Sequence, residues 1–161
     1  MKKFILLILL NIFSLSLYAS HHSLSVEMIL ASDQKPEGIV FELLSWDENT
    51  WTWAAPLLKD YREKLLAKYP DIDIAVVSHG GEQFQLTKAE AVNQPLAVET
   101  LQTLSDEGVN LYVCGTHSSW KNISVVSYID IVNVSPSGPA RINDYLNLGY
   151  TRVLLRKPGK E

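Results

Sequence analysis

The sequence predicts one α/β domain in three layers, with helices on both faces of a mostly parallel sheet of five strands. Apolar runs of strand length alternate with longer stretches of helical periodicity, and this alternation requires parallel strands joined by helical crossovers. The chain has 161 residues, of which 47% are hydrophobic and 20% charged, as in an ordinary globular domain. We therefore expect one hydrophobic core and no second independent domain.

Five apolar segments predict the strands. The first is a nearly continuous apolar run, typical of a strand covered on both faces, and the second is rich in β-branched residues. In chain order the predicted strands are residues 39–44, 72–78, 109–114, 131–134 and 151–155. Ligands of parallel sheets gather beyond the carboxyl ends of the strands. His79 and Cys114 occupy such positions and are therefore candidate site residues.

Three segments predict the longer helices. The first follows the first strand and contains Pro56, so we expect its regular part to begin near Ala54 or Ala55. The third is predicted over residues 138–148. The second is predicted over residues 94–106, with an apolar stripe formed by Leu96, Val98, Leu101 and Leu104.

The N-terminus predicts export. Met1-Lys2-Lys3 precedes an apolar run of about 15 residues that ends before Ala19-Ser20, which is the pattern of a secretory signal peptide. A helix that spans a bilayer needs roughly 20 apolar residues, so cleavage after Ala19 is favoured over a retained anchor. The anchor stays open, because Leu17 is larger than the small residue preferred at its position.

Cleavage leaves a short polar segment before the domain and places the protein in the periplasm or outside the cell. The predicted organisation is a signal peptide over residues 1–19, a polar lead-in over 20–37, the α/β domain over 38–156 and a charged tail over 157–161. Contact with a membrane is expected only if the signal segment is not cleaved.

Charge and motif content exclude several classes of function. Removal of Lys2 and Lys3 takes the formal net charge from −4 to −6, which disfavours binding to nucleic acid or to anionic lipid. Residues 44–49, after the first strand, contain no glycine, which disfavours a nucleotide-binding phosphate loop. A single cysteine provides no C-x-x-C pair, so thioredoxin chemistry is also disfavoured.

Cys114 is the only cysteine and has no intramolecular partner, although an exported protein meets an oxidising environment. It ends an apolar strand and is followed by Gly115, hydroxyl side chains and the start of a possible short helix. The backbone N–H groups of a helix N-terminus stabilise a thiolate, and His117 or Lys121 would add to that effect. The alternative is a buried and inert thiol.

Other uses of the same residues stay open. His79 or His117 could form a cysteine–histidine dyad with Cys114, although the sequence indicates no third orienting residue. A zinc site at Cys114 lacks the tight paired spacing of ligands that such sites show. Cleavage after Ala19 would expose Ser20-His21-His22, whose amine, amides and third-position imidazole suit Cu(II) or Ni(II). Three tryptophans near the first helix, Trp46, Trp51 and Trp53, indicate either core packing or a subunit interface.

An ordered set of segments carries a resemblance to a known family. In chain order these segments are Ile39-Val40-Phe41-Glu42-Leu43, the tryptophan-bearing helix, Val77-Ser78-His79-Gly80, Gly108-Val109-Asn110-Leu111-Tyr112-Val113-Cys114 and Val134-Ser135-Pro136-Ser137-Gly138. From about Gly38 to Leu155 the chain resembles the DsrE/DsrF-like superfamily, which includes sulfur-carrier subunits and YchN-like proteins. The resemblance implies a flavodoxin-like fold, assembly into homo- or hetero-oligomers such as trimers or hexamers, and a sulfur-accepting role for Cys114.

The leading hypothesis from the sequence is an exported protein that carries sulfane sulfur as a persulfide on Cys114. Thr116, His117, His79 or backbone amides near Gly115 would stabilise the anion, and no cofactor besides the covalent sulfur is expected. A sulfur donor or acceptor protein would be the partner. The alternatives are a noncatalytic oligomeric binding protein with a structural thiol, and a redox or small-molecule sensor.

Overall fold

A computed structural model of the chain describes residues 25–159. The predicted signal peptide, the histidines His21 and His22, and the last two residues of the charged tail lie outside the described residues. Within residues 25–159, every helix is too short or too polar to cross a bilayer.

Five parallel strands form a single sheet, which confirms the predicted fold class. In chain order they are β1 (Gly38–Leu43), β2 (Asp73–Ser78), β3 (Asn110–Cys114), β4 (Val132–Ser135) and β5 (Thr151–Leu154). Their order across the sheet is β4-β3-β2-β1-β5, and each neighbouring pair is parallel. This architecture is consistent with a flavodoxin-like three-layer fold.

Six α-helices lie in the described chain and cover the sheet unequally. They are α1 (Val26–Ala31), α2 (Thr50–Lys68), α3 (Lys88–Ala91), α4 (Pro95–Asp106), α5 (Gly115–Trp120) and α6 (Gly138–Asn147). A 3₁₀ helix, Gly81–Leu86, follows β2. Helices α2 and α4 pack against each other over the larger core, whereas α6 contacts the opposite face of the sheet across β1, β2, β3 and β5. The core under α2 and α4 is therefore larger than the core under α6.

Helix α2 begins earlier than the sequence indicated. Its first residue is Thr50, so the expectation of a start near Ala54 or Ala55 was wrong, and Pro56 lies inside the helix. Pro56 removes a bond to the carbonyl of Thr52, but Thr52 is exposed and water can satisfy that group. Burial of Trp51, whose Nε1 donates to the carbonyl of Glu82 at 3.0 Å, stabilises the first turn.

The buried stripe of α4 is displaced from the predicted one. Leu96 is 78% exposed, while Ala97, Leu101 and Leu104 are buried. Pro95 is the first residue of the helix, which directs Leu96 to solvent and begins the core-facing row one residue later.

Part of the predicted polar lead-in is folded. Ser25 caps α1 by accepting a hydrogen bond from the backbone N–H of Met28 at 3.2 Å. Val26 and Ile29 lie one helical turn apart and are buried in the core that α2 covers. Two apolar residues are too few to produce a clear helical period in a polar sequence, which is why this turn was missed.

The register of the sheet brings the candidate residues to one edge. Ser78 pairs with Val113, and Cys114 pairs with Ser135. His79 follows Ser78 directly, so it continues β2 beside the end of β3, and both residues lie at the carboxyl edge of the sheet.

Candidate functional site

Cys114 is the last residue of β3 and the N-cap of α5. It is a free thiol with 5% of its surface exposed. The strand places the sulfur atom at the carboxyl edge of the sheet, and the first backbone N–H groups of α5 follow immediately in the chain. Free N–H groups at a helix start favour a negative charge on a nearby sulfur, but here the N–H of Thr116 donates to the carbonyl of Pro136 at 3.1 Å and Cys114 forms no side-chain cap bond.

Gly138, the first residue of α6, packs against both His79 and Cys114. A β-carbon at Gly138 would lie 2.6 Å from Cβ of His79 and 3.3 Å from Cβ of Cys114. A glycine is therefore required for this approach, since real β-carbons essentially never come as close as 2.6 Å to another heavy atom. The start of α6 thus closes over the histidine and the cysteine together.

The imidazole of His79 is held by a carboxylate. Its Nε2 lies 2.9 Å from Oε1 of Glu42, and Oε2 of the same carboxylate lies 3.5 Å from Nη1 of Arg152. The hydrogen bond from His79, followed by the charges of His79 and Arg152, lowers the pKa of Glu42 below its ordinary value of 4.5 against the opposing effect of burial. Glu42 is thus a carboxylate at neutral pH, aligned to accept a hydrogen bond from His79.

Gln83 fixes the backbone of Cys114 on the opposite side. The backbone N–H of Cys114 donates to Oε1 of Gln83 at 2.8 Å, and Nε2 of Gln83 donates to the carbonyl of Cys114 at 3.3 Å. That carbonyl also accepts from Oγ of Ser118 at 2.9 Å. Ser118 in turn shares a hydrogen bond of 2.7 Å with the hydroxyl of Tyr128. The main chain at Cys114 is therefore held by buried polar groups from three segments.

A buried carboxylate next to Gln83 ties two loops of this edge together. Glu82 has no exposed surface and accepts hydrogen bonds from the backbone N–H of Ser45 at 2.7 Å, from Oγ of Ser78 at 2.7 Å and from the backbone N–H of Gly80 at 2.9 Å. Three donors to one carboxylate compensate for its burial. Glu82 therefore holds the ends of β1 and β2 in place around the site.

His117 is buried among aromatic rings. Its Nδ1 donates to the carbonyl of His79 at 3.1 Å, which joins α5 to the end of β2. The rings of Phe84, Trp46 and Trp120 stand edge-on to the imidazole, with centroid distances of 4.8, 5.5 and 5.7 Å. Packing therefore fixes the orientation of His117.

The other residues singled out from the sequence have separate environments. Thr116 donates its hydroxyl hydrogen to the carbonyl of Pro136 at 2.8 Å. Of the three tryptophans near α2, Trp51 is buried, Trp53 is partly buried and Trp46 is 72% exposed, so they form no common surface. Within residues 25–159, no three histidine, cysteine, aspartate or glutamate side chains are grouped so that they could share a metal ion.

The structure brings Cys114, His79 and His117 to one edge and adds residues that the sequence analysis missed. These are Glu42, Glu82, Gln83 and Gly138. One signal was available for Glu42, because it is the only charged residue in an otherwise apolar strand. It also provides the third orienting group that the sequence did not indicate for a cysteine–histidine pair.

This arrangement is chemically competent for thiol exchange. It offers a single thiol at a helix start, a histidine whose Cβ flanks Gly138 as Cβ of Cys114 does, and a carboxylate that binds Nε2 of that histidine. Low exposure of the thiol limits the size of any molecule that reaches the sulfur without local movement.

Comparison with known proteins identifies a matching family and similar solved structures. The model of the DsrE/DsrF-like family matches residues 56–154, which include His79 and Cys114. The fold is similar to that of MTH1491, a protein of unknown function from Methanobacterium thermoautotrophicum, with a TM-score of 0.59 and 19% sequence identity over 73% of this chain and 97% of that one. The second likeness concerns the fold alone. No curated protein matches the sequence.

Proposed function

This chain belongs to the DsrE/DsrF-like family, and we propose that it handles sulfane sulfur as a persulfide on Cys114. The observation that carries the proposal is the position of the only thiol: Cys114 ends β3 at the start of α5, beside His79 and the first residue of α6. Sulfur relay is the chemistry that membership of this family suggests.

The proposed reaction is an exchange between a thiol and a persulfide. The Cys114 thiolate attacks the terminal sulfur of a donor R–S–SH, forms a new S–S bond and breaks the S–S bond of the donor. The electron pair of the broken bond leaves with the donor sulfur, which takes up the proton lost by Cys114. The products are Cys114–S–SH and R–SH, with no net oxidation. An acceptor thiol removes the terminal sulfur by the reverse exchange.

Several neighbouring groups support an anionic sulfur in this proposal. The start of α5 follows the thiol directly in the chain, although the backbone N–H of Thr116 in that turn donates to the carbonyl of Pro136 at 3.1 Å. His79 lies next to Cys114 around Gly138, and His117 is held one turn further along α5. Thr116 would assist only after releasing its hydrogen bond to Pro136.

Mass spectrometry of the intact protein tests the persulfide directly. After exposure to a polysulfide or a persulfide donor, the wild-type protein is expected to gain the mass of one sulfur atom, and a reductant should remove it. Cys114→Ser should gain none. Ser119→Ala is a matched control in the same helix, because its side chain bonds only Thr116 locally and it should load like the wild type. A folded wild-type protein that never gains sulfur contradicts the proposal.

A second candidate is a noncatalytic oligomeric binding protein with a structural thiol. The specific observation in its favour is that only 5% of Cys114 is exposed. The two candidates differ in the reactivity of the native thiol. The persulfide proposal expects alkylation of Cys114 in the folded protein within the time of the experiment, whereas a structural thiol should react only when the chain is unfolded in denaturant.

The site of action is part of the proposal. We place the protein in the periplasm or outside the cell, because residues 1–19 have the pattern of a signal peptide. Cell fractionation and N-terminal sequencing are expected to find a mature chain that begins at Ser20. A chain that keeps Met1 and sediments with membranes would instead indicate an uncleaved anchor.

Self-association into a trimer or hexamer is also proposed. The support is a set of large apolar side chains that are mostly exposed in the single chain: Trp46, Leu96, Trp120, Val125 and Val126. Native mass spectrometry of the mature protein should find a closed homo-oligomer, and a monomer at micromolar concentration would contradict this part. A protein that donates or accepts sulfur would be the further partner.

A further inference from the structure

We infer that Glu42 is the positioning residue for proton transfer at Cys114 and that it acts through His79. The inference deepens the proposed function and rests on it for the sulfur chemistry, whereas the proton-transfer geometry is tested below without a persulfide. Neither the family match nor the structural neighbour assigns a role to Glu42.

Strand alternation places the three side chains on one face of the sheet. Val40 and Val77 are buried beneath α6, and Tyr112 packs against the same cluster. Residues two positions further along a strand lie on the same face. Glu42, His79 and Cys114 each stand two positions after one of these residues, at the ends of the adjacent strands β1, β2 and β3. They therefore form a row across the carboxyl edge on the α6 side.

The hydrogen bond between Glu42 and His79 determines which ring nitrogen faces which neighbour. Nε2 of His79 lies 2.9 Å from Oε1 of Glu42, so this nitrogen is occupied, and no described residue forms a hydrogen bond with Nδ1. A neutral imidazole that donates from Nε2 presents the lone pair of Nδ1. Nδ1 is thus the nitrogen that we assign to the thiol of Cys114, because Cβ of His79 and Cβ of Cys114 both flank Gly138.

The low solvent exposure of Glu42 and His79 strengthens the electrostatic interaction between them. The side chains of Glu42 and His79 are 15% and 11% exposed, so water screens their interaction only partly. Arg152 lies 3.5 Å from the other carboxylate oxygen and holds Glu42 in place from β5. A carboxylate held in this way fixes the imidazole tautomer and stabilises the positive charge that forms when the ring accepts a proton.

The proton balance of the exchange follows from these roles. His79 Nδ1 takes the proton of Cys114–SH, which leaves a thiolate beside an imidazolium that is bound to the Glu42 carboxylate. The thiolate forms the new S–S bond, and the electron pair of the broken bond leaves on R–S⁻. The imidazolium then gives its proton to R–S⁻, so His79 and Glu42 return to their starting states.

Other charged or titratable groups also surround this row. They are Arg152 of β5, Glu82 of the 3₁₀ helix, His117 of α5, Tyr128 before β4 and Arg141 of α6. Arg152 binds Glu42 itself, and Glu82 is enclosed by its three donors. His117 donates from Nδ1 to the backbone carbonyl of His79 and not to its ring. Apart from Arg152, whose ion pair with Glu42 is removed, these groups are the same in the wild type and in variants that change Glu42 alone.

The test is the pH profile of alkylation of Cys114 by a small neutral reagent. In the wild-type protein the rate should reach its plateau at lower pH than in Glu42→Gln or His79→Asn. At pH 7 we expect the rate in Glu42→Gln to fall about tenfold, which corresponds to a shift of about one pH unit in the profile. Glu42→Asp keeps the charge but shortens the side chain and should give an intermediate profile.

Glu63→Gln is the matched control. Glu63 pairs with Lys59 on the exposed surface of α2, where its side chain is 60% exposed, and its removal should leave the profile unchanged. Thermal unfolding of each variant shows whether it is folded before its profile is compared. Identical profiles for folded wild type and folded Glu42→Gln would overturn the inference.

Nitrogen NMR of the histidine ring supplies a readout that a purely structural role would not move. The wild type should show His79 protonated on Nε2, and Glu42→Gln should show a mixture of tautomers. The two proposals fail separately. If the wild-type protein takes up no sulfur but the profile of Glu42→Gln is displaced, the proposed function fails and the role of Glu42 stands. If the wild type loads sulfur normally but the two profiles coincide, the role of Glu42 fails and the proposed function stands.

Discussion

Both ends of the Gln83 side-chain amide bond the backbone of one residue, Cys114. Oε1 accepts from the backbone N–H at 2.8 Å, and Nε2 donates to the carbonyl at 3.3 Å. Gln83 is fully buried. The main chain that presents the thiol is therefore held by a side chain from another segment, the 3₁₀ helix that follows β2.

Gln83→Ala should destabilise the protein by about 2–4 kcal/mol, because it leaves a cavity and removes partners from the buried N–H and C=O of Cys114. Urea unfolding at pH 7 measures this loss. Gln102→Ala is the control, since Gln102 bonds Asp106 on the exposed surface of α4 and should cost less than about 0.5 kcal/mol. Equal losses in the two variants would show that the bonds to Cys114 contribute nothing particular.

Gly138→Ala should separate α6 from the site. The new β-carbon would meet Cβ of His79 at 2.6 Å, so the histidine or the helix must move, at an expected cost of about 1–3 kcal/mol. Unfolding in urea and the alkylation rate of Cys114 are the two measurements, and both should change. Asn143→Ala, at an exposed position of the same helix, should leave both unchanged. A fully stable Gly138→Ala with wild-type alkylation would contradict the close packing described here.

Stability should fall in acid partly because of Glu42. Its pKa is lowered in the folded protein, first by the hydrogen bond from His79, so the unfolded chain takes up this proton more readily. The contribution is complete above the ordinary value of 4.5 and is lost as the pH falls through the lower folded pKa. Unfolding free energies between pH 7 and pH 3 should therefore decline less steeply in Glu42→Gln than in the wild type. Parallel declines would show that Glu42 is not the group responsible.

Stability should also fall in alkali because of Tyr150. Burial, followed by the hydrogen bond from its hydroxyl to Asp73, raises the pKa of Tyr150 to about 12 from an ordinary value of 10.0. Above pH 10 the unfolded chain loses this proton first, so the contribution disappears as the pH rises from about 10 to about 12. Tyr150→Phe should be less sensitive in that window, by denaturant unfolding at several pH values. An unchanged slope would assign the effect to Tyr145, whose pKa is also raised by burial.

Local patterns in the sequence were sufficient for most of the sheet. Strands such as β1 and β2 are mostly apolar, because both faces are covered, and such runs are recognisable without any knowledge of their neighbours. The start of α2 and the turn at Val26 were missed for one reason. Both are stabilised by tertiary burial, of Trp51 and of Val26 with Ile29, and not by a strong local signal.

The candidate site divides in the same way. Cys114, His79 and His117 were found because cysteine and histidine next to strand ends are recognisable in a sequence. Glu42, Gln83 and Gly138 were not found, because only their tertiary contacts with His79 and Cys114 distinguish them from other residues of the same types.

The sequence alone determined the alternation of strands and helices, the family resemblance and the place of the single thiol at a strand end, since these follow from local periodicity and residue type. Only the tertiary structure decided which residues surround that thiol. Residues 42, 79, 114 and 138 are far apart in the chain and meet because parallel pairing aligns the ends of β1, β2 and β3 while α6 returns across them. A local pattern cannot specify such a meeting, because it depends on the register between strands and on the closeness with which a helix packs.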